Sequence, residues 1–178
     1  QFTEPTFMEY SYKDAAKLGF PEIAEKVVLN KTRREDGKYD FKYKLANGVH
    51  KDDFMQHAYN ADLNAGLACK KMARDAEMIQ NKLGVTPDAA DIYAVHFLGA
   101  TAGLEFLGRY HKNYHHHAPS DFLSQAAINS NREIFFHRQG NGPERSVGQV
   151  MEVFQDKVGA DPVGPFRQAR RESAPKHY

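Results

Sequence analysis

Residues 90–100 read ADIYAVHFLGA, and this stretch is apolar on nearly every side when it is drawn as a helix. A helix that is apolar all round is a buried helix. Tyr93 and His96 lie three residues apart on one face, and buried polar tips require hydrogen-bond partners or a ligand. We therefore expect residues 88–107 to form a central helix. One side of it should face the core, and the other either the core or a cleft.

The start of this helix is marked by three consecutive residues. Thr86 can cap the helix, Pro87 suits the first helical position, and Asp88 falls in the first turn, where the helix dipole favours an anion. Spacing alone favours a core histidine, satisfied by a neighbour, as the interpretation of His96. The alternative is a histidine in a cleft wall beside Tyr93 and Phe97.

A second long helix is predicted over residues 52–83, where apolar residues recur every three or four positions. Gly84 ends the pattern, and Cys69 lies beside the apolar stripe, which favours a packing role for its side chain. The predicted core face comprises Phe54, Ala58, Ala61, Ala65, Ala68, Met72, Ala76, Ile79 and Leu83.

Shorter elements surround these two helices. Helices are predicted over residues 3–18, 21–29 and 122–128, and Ser146 with Gln149 forms a capping box for a helix through residue 158. Residues 30–44 read as a hairpin around Asp36 and Gly37, because aromatic and polar residues alternate after the turn. Its basic and aromatic mixture could also indicate a nucleic-acid patch, but both signs of charge are present, which favours a solvated hairpin.

Composition indicates one compact domain followed by a tail. The chain has 178 residues, a formal net charge of +1 and a single cysteine. A balanced charge argues against a dedicated nucleic-acid binder, one cysteine excludes an internal disulfide, and no apolar run is long enough to span a membrane. We expect a domain over residues 1–158 and a linker or flexible tail over 159–178, where prolines and arginines accumulate.

Four histidines between residues 111 and 117 raise the possibility of a metal site, since imidazoles are good zinc ligands. Three of them are consecutive and cannot all face one ion on a regular backbone, so a loop between helices is the favoured interpretation. We expect no metal site and no cofactor. The histidines are His111, His115, His116 and His117.

Short motifs occur in a fixed order along the chain. They are QFTEPTF at 1–7, DGKY at 36–39, HFLG at 96–99, AAINSNREIFF at 126–136 and RSVGQV at 145–150. Their order and spacing resemble phage and prophage peptidoglycan-cleaving proteins related to soluble lytic transglycosylases, a branch of the lysozyme-like superfamily. In that family a Trp is usual where this chain has Phe7.

The resemblance implies an all-α, lysozyme-like helical domain with a minor β-hairpin, and peptidoglycan as its partner. The intact parent would cleave the MurNAc-GlcNAc strand by lytic transglycosylation or hydrolysis, without a cofactor. The family's general acid is a Glu in a Glu-Ser motif before the Gln-Phe pair, so the catalytic residue is expected upstream of Gln1 and is unknown in this chain. Glu4 and Glu9 follow the pair and are expected to cap a helix or face solvent.

By the same resemblance, six residues of this chain are candidates for substrate binding. Asn131 has an equally plausible role as the cap of the turn at residues 132–136. Further partners would be other parts of a longer parent chain or virion proteins, in a phage virion or in the bacterial periplasm and cell wall. The candidate residues are Gln1, Phe2, Tyr93, His96, Phe97 and Asn131.

Two other functions stay open. One is a non-catalytic structural or wall-binding component of a phage particle or injection apparatus, which would keep the lysozyme-like fold without the chemistry. The other is an α-helical effector domain that binds a protein partner. An exposed apolar patch without a glycan groove would indicate the protein-binding domain.

Overall fold

The computed structural model describes residues 2–159. Over these residues the protein is mostly helical, with 65% helix, 10% strand and one two-stranded sheet. The chain divides into two compact units, residues 1–74 and 75–178. One domain over residues 1–158 stays a prediction. The predicted tail lies outside the described residues except for Gly159.

The first unit begins with a continuous helical segment, as predicted for residues 3–18. Helix α1 is Glu4–Tyr10, a π-helical turn follows at Ser11–Ala15, and a 3₁₀ turn covers Ala16–Leu18. Gly19 ends the segment with a φ of 91°, which a residue without Cβ adopts readily.

A short helix and a hairpin come next. Helix α2 is Pro21–Ala24, and strands β1 (Val27–Arg33) and β2 (Tyr39–Leu45) pair antiparallel. The hairpin is thus confirmed. The predicted helix over residues 21–29 is wrong in its second half, because the β-branched Val27 and Val28 fit an extended strand and join the sheet.

The predicted helix over residues 52–83 is two helices. Helix α3 is Lys51–Gln56, a 3₁₀ turn covers His57–Tyr59, and α4 is Ala61–Leu83. The break falls at Asn60, whose backbone is extended and whose side chain accepts a hydrogen bond of 3.0 Å from the backbone N–H of Leu63. This N-cap starts a new helix.

The buried face of α4 also differs from the predicted one between residues 61 and 72. Ala61, Ala65 and Met72 are exposed, while Leu63 and Leu67 are fully buried. Burial of a leucine removes more apolar area from water than burial of an alanine, so the leucines determine the orientation of the helix. Cys69 is exposed, and its predicted packing role is wrong.

The first unit has its own apolar core, which we call the first cluster. It includes residues from the opening helix, the base of the hairpin, α3 and α4. Phe7 and Phe54 are fully buried at its centre, with ring centroids 5.1 Å apart. The buried members are Phe7, Tyr10, Ala15, Ile23, Val27, Phe54, Ala58, Leu63 and Leu67.

An ion pair with a buried carboxylate lies in the same unit. Arg74 donates two hydrogen bonds to the carboxylate of Asp14, one of them 2.8 Å long. Asp14 is 1% exposed, and the Arg74 guanidinium lies 5.2 Å from the centre of the Tyr10 ring. Arg74, through its hydrogen bonds, holds the pKa of Asp14 below its usual value.

The second unit is built from helices. After α4 ends at Gly84, as predicted, α5 is Ala89–Leu98 and α6 is Ala100–His111. Helices α7 (Gln125–Ser130), α8 (Arg132–Phe135) and α9 (His137–Gly140) are short, and Arg138 and Gln139 within α9 have left-handed dihedrals. Helix α10 is Val147–Gly159 and begins with the predicted capping box of Ser146 and Gln149.

The predicted helix over residues 88–107 is interrupted at Gly99. This glycine has a φ of 81° and a ψ of 162°, a conformation that residues with a Cβ avoid. The chain turns there and α6 packs back onto α5. The close approach is possible because Gly103 has no Cβ. A Cβ at this position would lie only 2.6 Å from the Cα of Val95.

The second unit contains the second cluster. Phe154 of α10 is fully buried at its centre and contacts the rings of Tyr93, Phe97 and Phe106 at centroid distances of 5.4 to 5.8 Å. Its buried members are Ile79, Ala90, Ala94, Val95, Phe106, Leu107, Leu123, Ile128, Ile134, Phe135, Val147, Val150, Met151 and Phe154.

Candidate functional site

Helix α5, which carries three of the candidate residues, is fixed at its start by two acids. Asp88 accepts a hydrogen bond of 2.9 Å from the backbone N–H of Asp91, and Asp91 accepts one of 3.1 Å from the backbone N–H of Asp88. This is a reciprocal capping box. The predicted cap at Thr86 is therefore wrong, and Asp88 lies outside the first turn, at the N-cap position.

Asp91 has a second partner inside the unit. Its Oδ1 lies 3.2 Å from Nε2 of His111, the last residue of α6, and Asp91 is 1% exposed. A buried carboxylate needs such partners, because an uncompensated charge in the interior is costly. The pair ties the start of α5 to the end of α6. Sequence reasoning missed it, although an acid inside an otherwise apolar stretch is itself a signal of a buried, partnered carboxylate.

Tyr93 and Phe97 anchor α5 to the core. Both are half-buried, their rings stack at 6.1 Å, and each contacts Phe154. Each ring therefore has one part in the second cluster and another part open to solvent. Tyr93 and Phe97 are thus neighbouring rings on one helix.

His96 lies on the same helix and is exposed. The interpretation of His96 as a core histidine is therefore wrong. An exposed imidazole between two partly exposed rings combines apolar surface with a group that donates and accepts hydrogen bonds. We call Tyr93, His96 and Phe97 the α5 surface.

The remaining candidates lie elsewhere. Phe2 belongs to the first unit, where it is half-buried and stacks on Tyr10 at 6.0 Å. Gln1 lies outside the described residues. Asn131 lies between α7 and α8, and its amide donates a hydrogen bond of 3.0 Å to the carbonyl of Ala127. Asn131 stands at the N-cap position of α8, as predicted for a cap, but its side chain makes no capping hydrogen bond there.

The histidines after α6 form stacked rings. His115 stacks on Tyr110 at 4.7 Å, and His117 stacks on Tyr114 at 4.9 Å. His111 itself belongs to α6, whereas the other three lie in the turn that follows. Among residues 2–159, no group of three or more His, Cys, Asp or Glu side chains is arranged to hold a metal ion.

No helix within the described part of the chain combines the length and the apolar character that crossing a membrane requires. Comparisons of the chain with protein-family models, curated proteins and solved structures found no match.

Proposed function

We propose that this chain is a lysozyme-like domain that binds the glycan strand of peptidoglycan along the α5 surface. In a longer parent protein, this surface would hold the strand for cleavage by lytic transglycosylation. The observation that carries the proposal is the exposed imidazole of His96 beside the partly exposed rings of Tyr93 and Phe97.

The chemistry of a glycan strand fits such a surface. A pyranose ring presents apolar C–H groups that pack on aromatic rings, while its hydroxyl and acetamido groups need hydrogen-bond partners. The rings of Tyr93 and Phe97 offer an aromatic surface for the C–H groups. The imidazole of His96 and the hydroxyl of Tyr93 offer hydrogen-bond partners for the polar groups. Because both rings are held by Phe154, little side-chain entropy is lost when a sugar binds.

Binding is the contribution we assign to α5, and the general acid is not on this helix. Glycan cleavage needs a carboxyl group that can protonate the glycosidic oxygen. The single acid of α5 is Asp91, which is buried and already accepts a hydrogen bond from Asp88 and contacts His111. This observation also favours the second candidate function, a wall-binding component of a phage particle that binds glycan without cleaving it.

A binding titration with a neutral glycan tests the proposal. The probe is the hexamer of N-acetylglucosamine, added to the isotopically labelled chain and followed by amide chemical shifts. We expect shifts along α5 and roughly tenfold weaker binding in His96→Ala, the scale of one or two lost hydrogen bonds. Because His96 is exposed, the free energy of unfolding should change by no more than about 0.5 kcal/mol.

The matched control is His50→Ala, which removes another exposed histidine whose side chain caps no helix. It should bind the hexamer as the unchanged chain does. Equal affinities for His96→Ala and the unchanged chain, or shifts that avoid α5, would overturn the assignment of the glycan to this surface.

A further inference from the structure

The hairpin has one face that is both aromatic and cationic. The register pairs Lys31 with Phe41 and Arg33 with Tyr39, so these four side chains lie on the same face. Leu29 belongs to that face as well, and all five residues are exposed, Phe41 by 57%. We call these five residues the hairpin face.

The end of the hairpin that lies away from the turn is anchored in the first unit. On the same face, Val27 is buried in the first cluster, and Tyr43 contacts the Tyr12 ring at 5.5 Å. Lys13 lies 5.7 Å from the centre of the Tyr43 ring. The exposed part of the hairpin therefore extends from a fixed base, although a two-stranded ribbon alone is only marginally stable in water.

The charges of the hairpin are unevenly distributed. Between Val27 and Leu45 there are six Lys or Arg residues and three Asp or Glu residues, in a chain whose net charge is only +1. Near the turn, Arg34 lies 3.7 Å from Asp36 and 3.6 Å from Asp40. Lys38 lies 3.9 Å from Asp36. Away from the turn, no carboxylate of the described residues lies within ion-pair distance of the other four cations, which are Lys31, Arg33, Lys42 and Lys44.

Lys31 links the cationic and aromatic parts of the hairpin face. Its Nζ lies 3.8 Å from the centre of the Tyr39 ring and 5.8 Å from the centre of the Phe41 ring. The ammonium group is thereby held next to two apolar rings at a modest energetic advantage. A ligand that packs on Phe41 would meet a fixed positive charge at its edge.

We propose that the hairpin face binds an acidic polysaccharide, a strand of pyranose rings of which some carry carboxylates. The rings of the sugars would pack on Phe41, beside the Tyr39 ring that Lys31 covers, and the carboxylates would pair with Lys31 and Arg33. The hairpin face shares no residue with the α5 surface, and the choice of a glycan rests in part on the proposed function.

Charge spacing also favours a glycan over a nucleic acid. A nucleic acid carries a phosphate at every nucleotide, and its binding sites are lined by many cations. The tip of this hairpin instead holds the three acids Glu35, Asp36 and Asp40, which would repel a continuous row of phosphates. A strand with sparse carboxylates needs only the few cations that this face presents.

The experiment measures binding of the full chain to three probes in low salt. They are an oligomer in which galacturonic acid alternates with the neutral sugar rhamnose (the galacturonate oligomer), a neutral maltose oligomer of equal length, and oligo-deoxythymidine of equal charge. We expect the galacturonate oligomer to bind most tightly and its affinity to fall as salt is added. Tighter binding of oligo-deoxythymidine would replace the proposal with a nucleic-acid surface, and binding of none of the three would refute it.

Matched variants localise the binding. Lys31→Glu and Phe41→Ala should each weaken galacturonate binding about tenfold. Their controls, Lys42→Glu and Val28→Ala, make the same kinds of change on the opposite face of the ribbon. Equal losses in variant and control would refute a face-specific site. Near-ultraviolet circular dichroism checks that the hairpin and its aromatic contacts persist.

The two proposals can fail separately. The α5 surface is tested with a neutral oligomer of N-acetylglucosamine and His96→Ala, and the hairpin face with a charged oligomer and Lys31→Glu. If Lys31→Glu loses galacturonate binding while His96→Ala binds the N-acetylglucosamine oligomer as the unchanged chain does, the hairpin face is supported and the α5 assignment fails. The reverse pattern would remove the hairpin proposal and keep the proposed function.

Discussion

At the scale of single residues, His57 is a side chain that couples the stability of the first unit to pH near neutrality. Its Nε2 lies 2.7 Å from Nζ of Lys26, so the neutral ring accepts a hydrogen bond from the ammonium group. Burial, followed by the positive charge of Lys26, holds the pKa of His57 below its usual value of 6.5. Protonation would place two cations in contact.

The lowered pKa of His57 makes the stability of the folded chain depend on pH. The neutral ring is favoured in the folded state, so this contribution is complete above pH 6.5, the ordinary value, and is lost as the pH falls towards the folded pKa. We expect the free energy of unfolding in urea to fall below pH 6.5, and to fall less in His57→Gln. His116→Gln, at an exposed site, should keep the full pH dependence.

At the scale of elements, the contact between α5 and α6 depends on one glycine. A Cβ at Gly103 would lie 2.6 Å from the Cα of Val95, a distance that the backbone cannot accept without moving. A Cβ at Gly108, on the same helix, would lie 3.7 Å from Cδ2 of Leu83, which is ordinary contact. The two glycines therefore allow a comparison within one helix.

We expect opposite effects from the two substitutions. Gly103→Ala should lower the free energy of unfolding by about 2 kcal/mol, because it forces α5 and α6 apart. Gly108→Ala should raise it by about 0.5 kcal/mol, because alanine favours the helix and has space here. Urea titrations of both variants measure these changes. A stable Gly103→Ala variant would show that the two helices are not this closely packed.

The element boundaries show what a sequence can predict. Signals contained in a few neighbouring residues were sufficient: the Asp36-Gly37 hairpin, the capping box of Ser146 and Gln149, and the ends of helices at Gly19 and Gly84. The breaks at Asn60 and Gly99 were not predicted, because each lies inside a pattern that continues on both sides of it.

The orientation of helices required three-dimensional information. In α4, the alanine stripe and the leucine pair Leu63 and Leu67 have the same helical period, so periodicity could not decide which face is buried. The exposure of His96 was equally hidden, because α5 is apolar all round in sequence. Tyr93 and Phe97 could be grouped from their spacing, whereas the partner that holds them, Phe154, lies 57 residues beyond Phe97.

At the scale of the molecule, stability comes from two separate apolar clusters, one in each unit. Phe154 is the aromatic centre of the second cluster, where it contacts three other rings. The same side chain supports Tyr93 and Phe97 of the α5 surface. The geometry of that surface therefore depends on the integrity of the second cluster.

We expect Phe154→Ala to cost about 3 to 5 kcal/mol, the range for removing a buried aromatic side chain. Hydrogen exchange should accelerate throughout residues 75–159, including α5. Tyr114→Ala, which truncates a ring that is 44% exposed, should change stability by no more than about 0.5 kcal/mol. Unchanged exchange in α5 after Phe154→Ala would show that the cluster does not support this helix.

Cys69 gives the chain a practical property. It is the only cysteine in the sequence and is exposed on α4. A maleimide dye would therefore attach to one known position in every molecule, without any substitution. Thermophoresis of this singly labelled chain, which responds to small ligands, could follow the binding of the glucosamine and galacturonate oligomers with one and the same labelled sample.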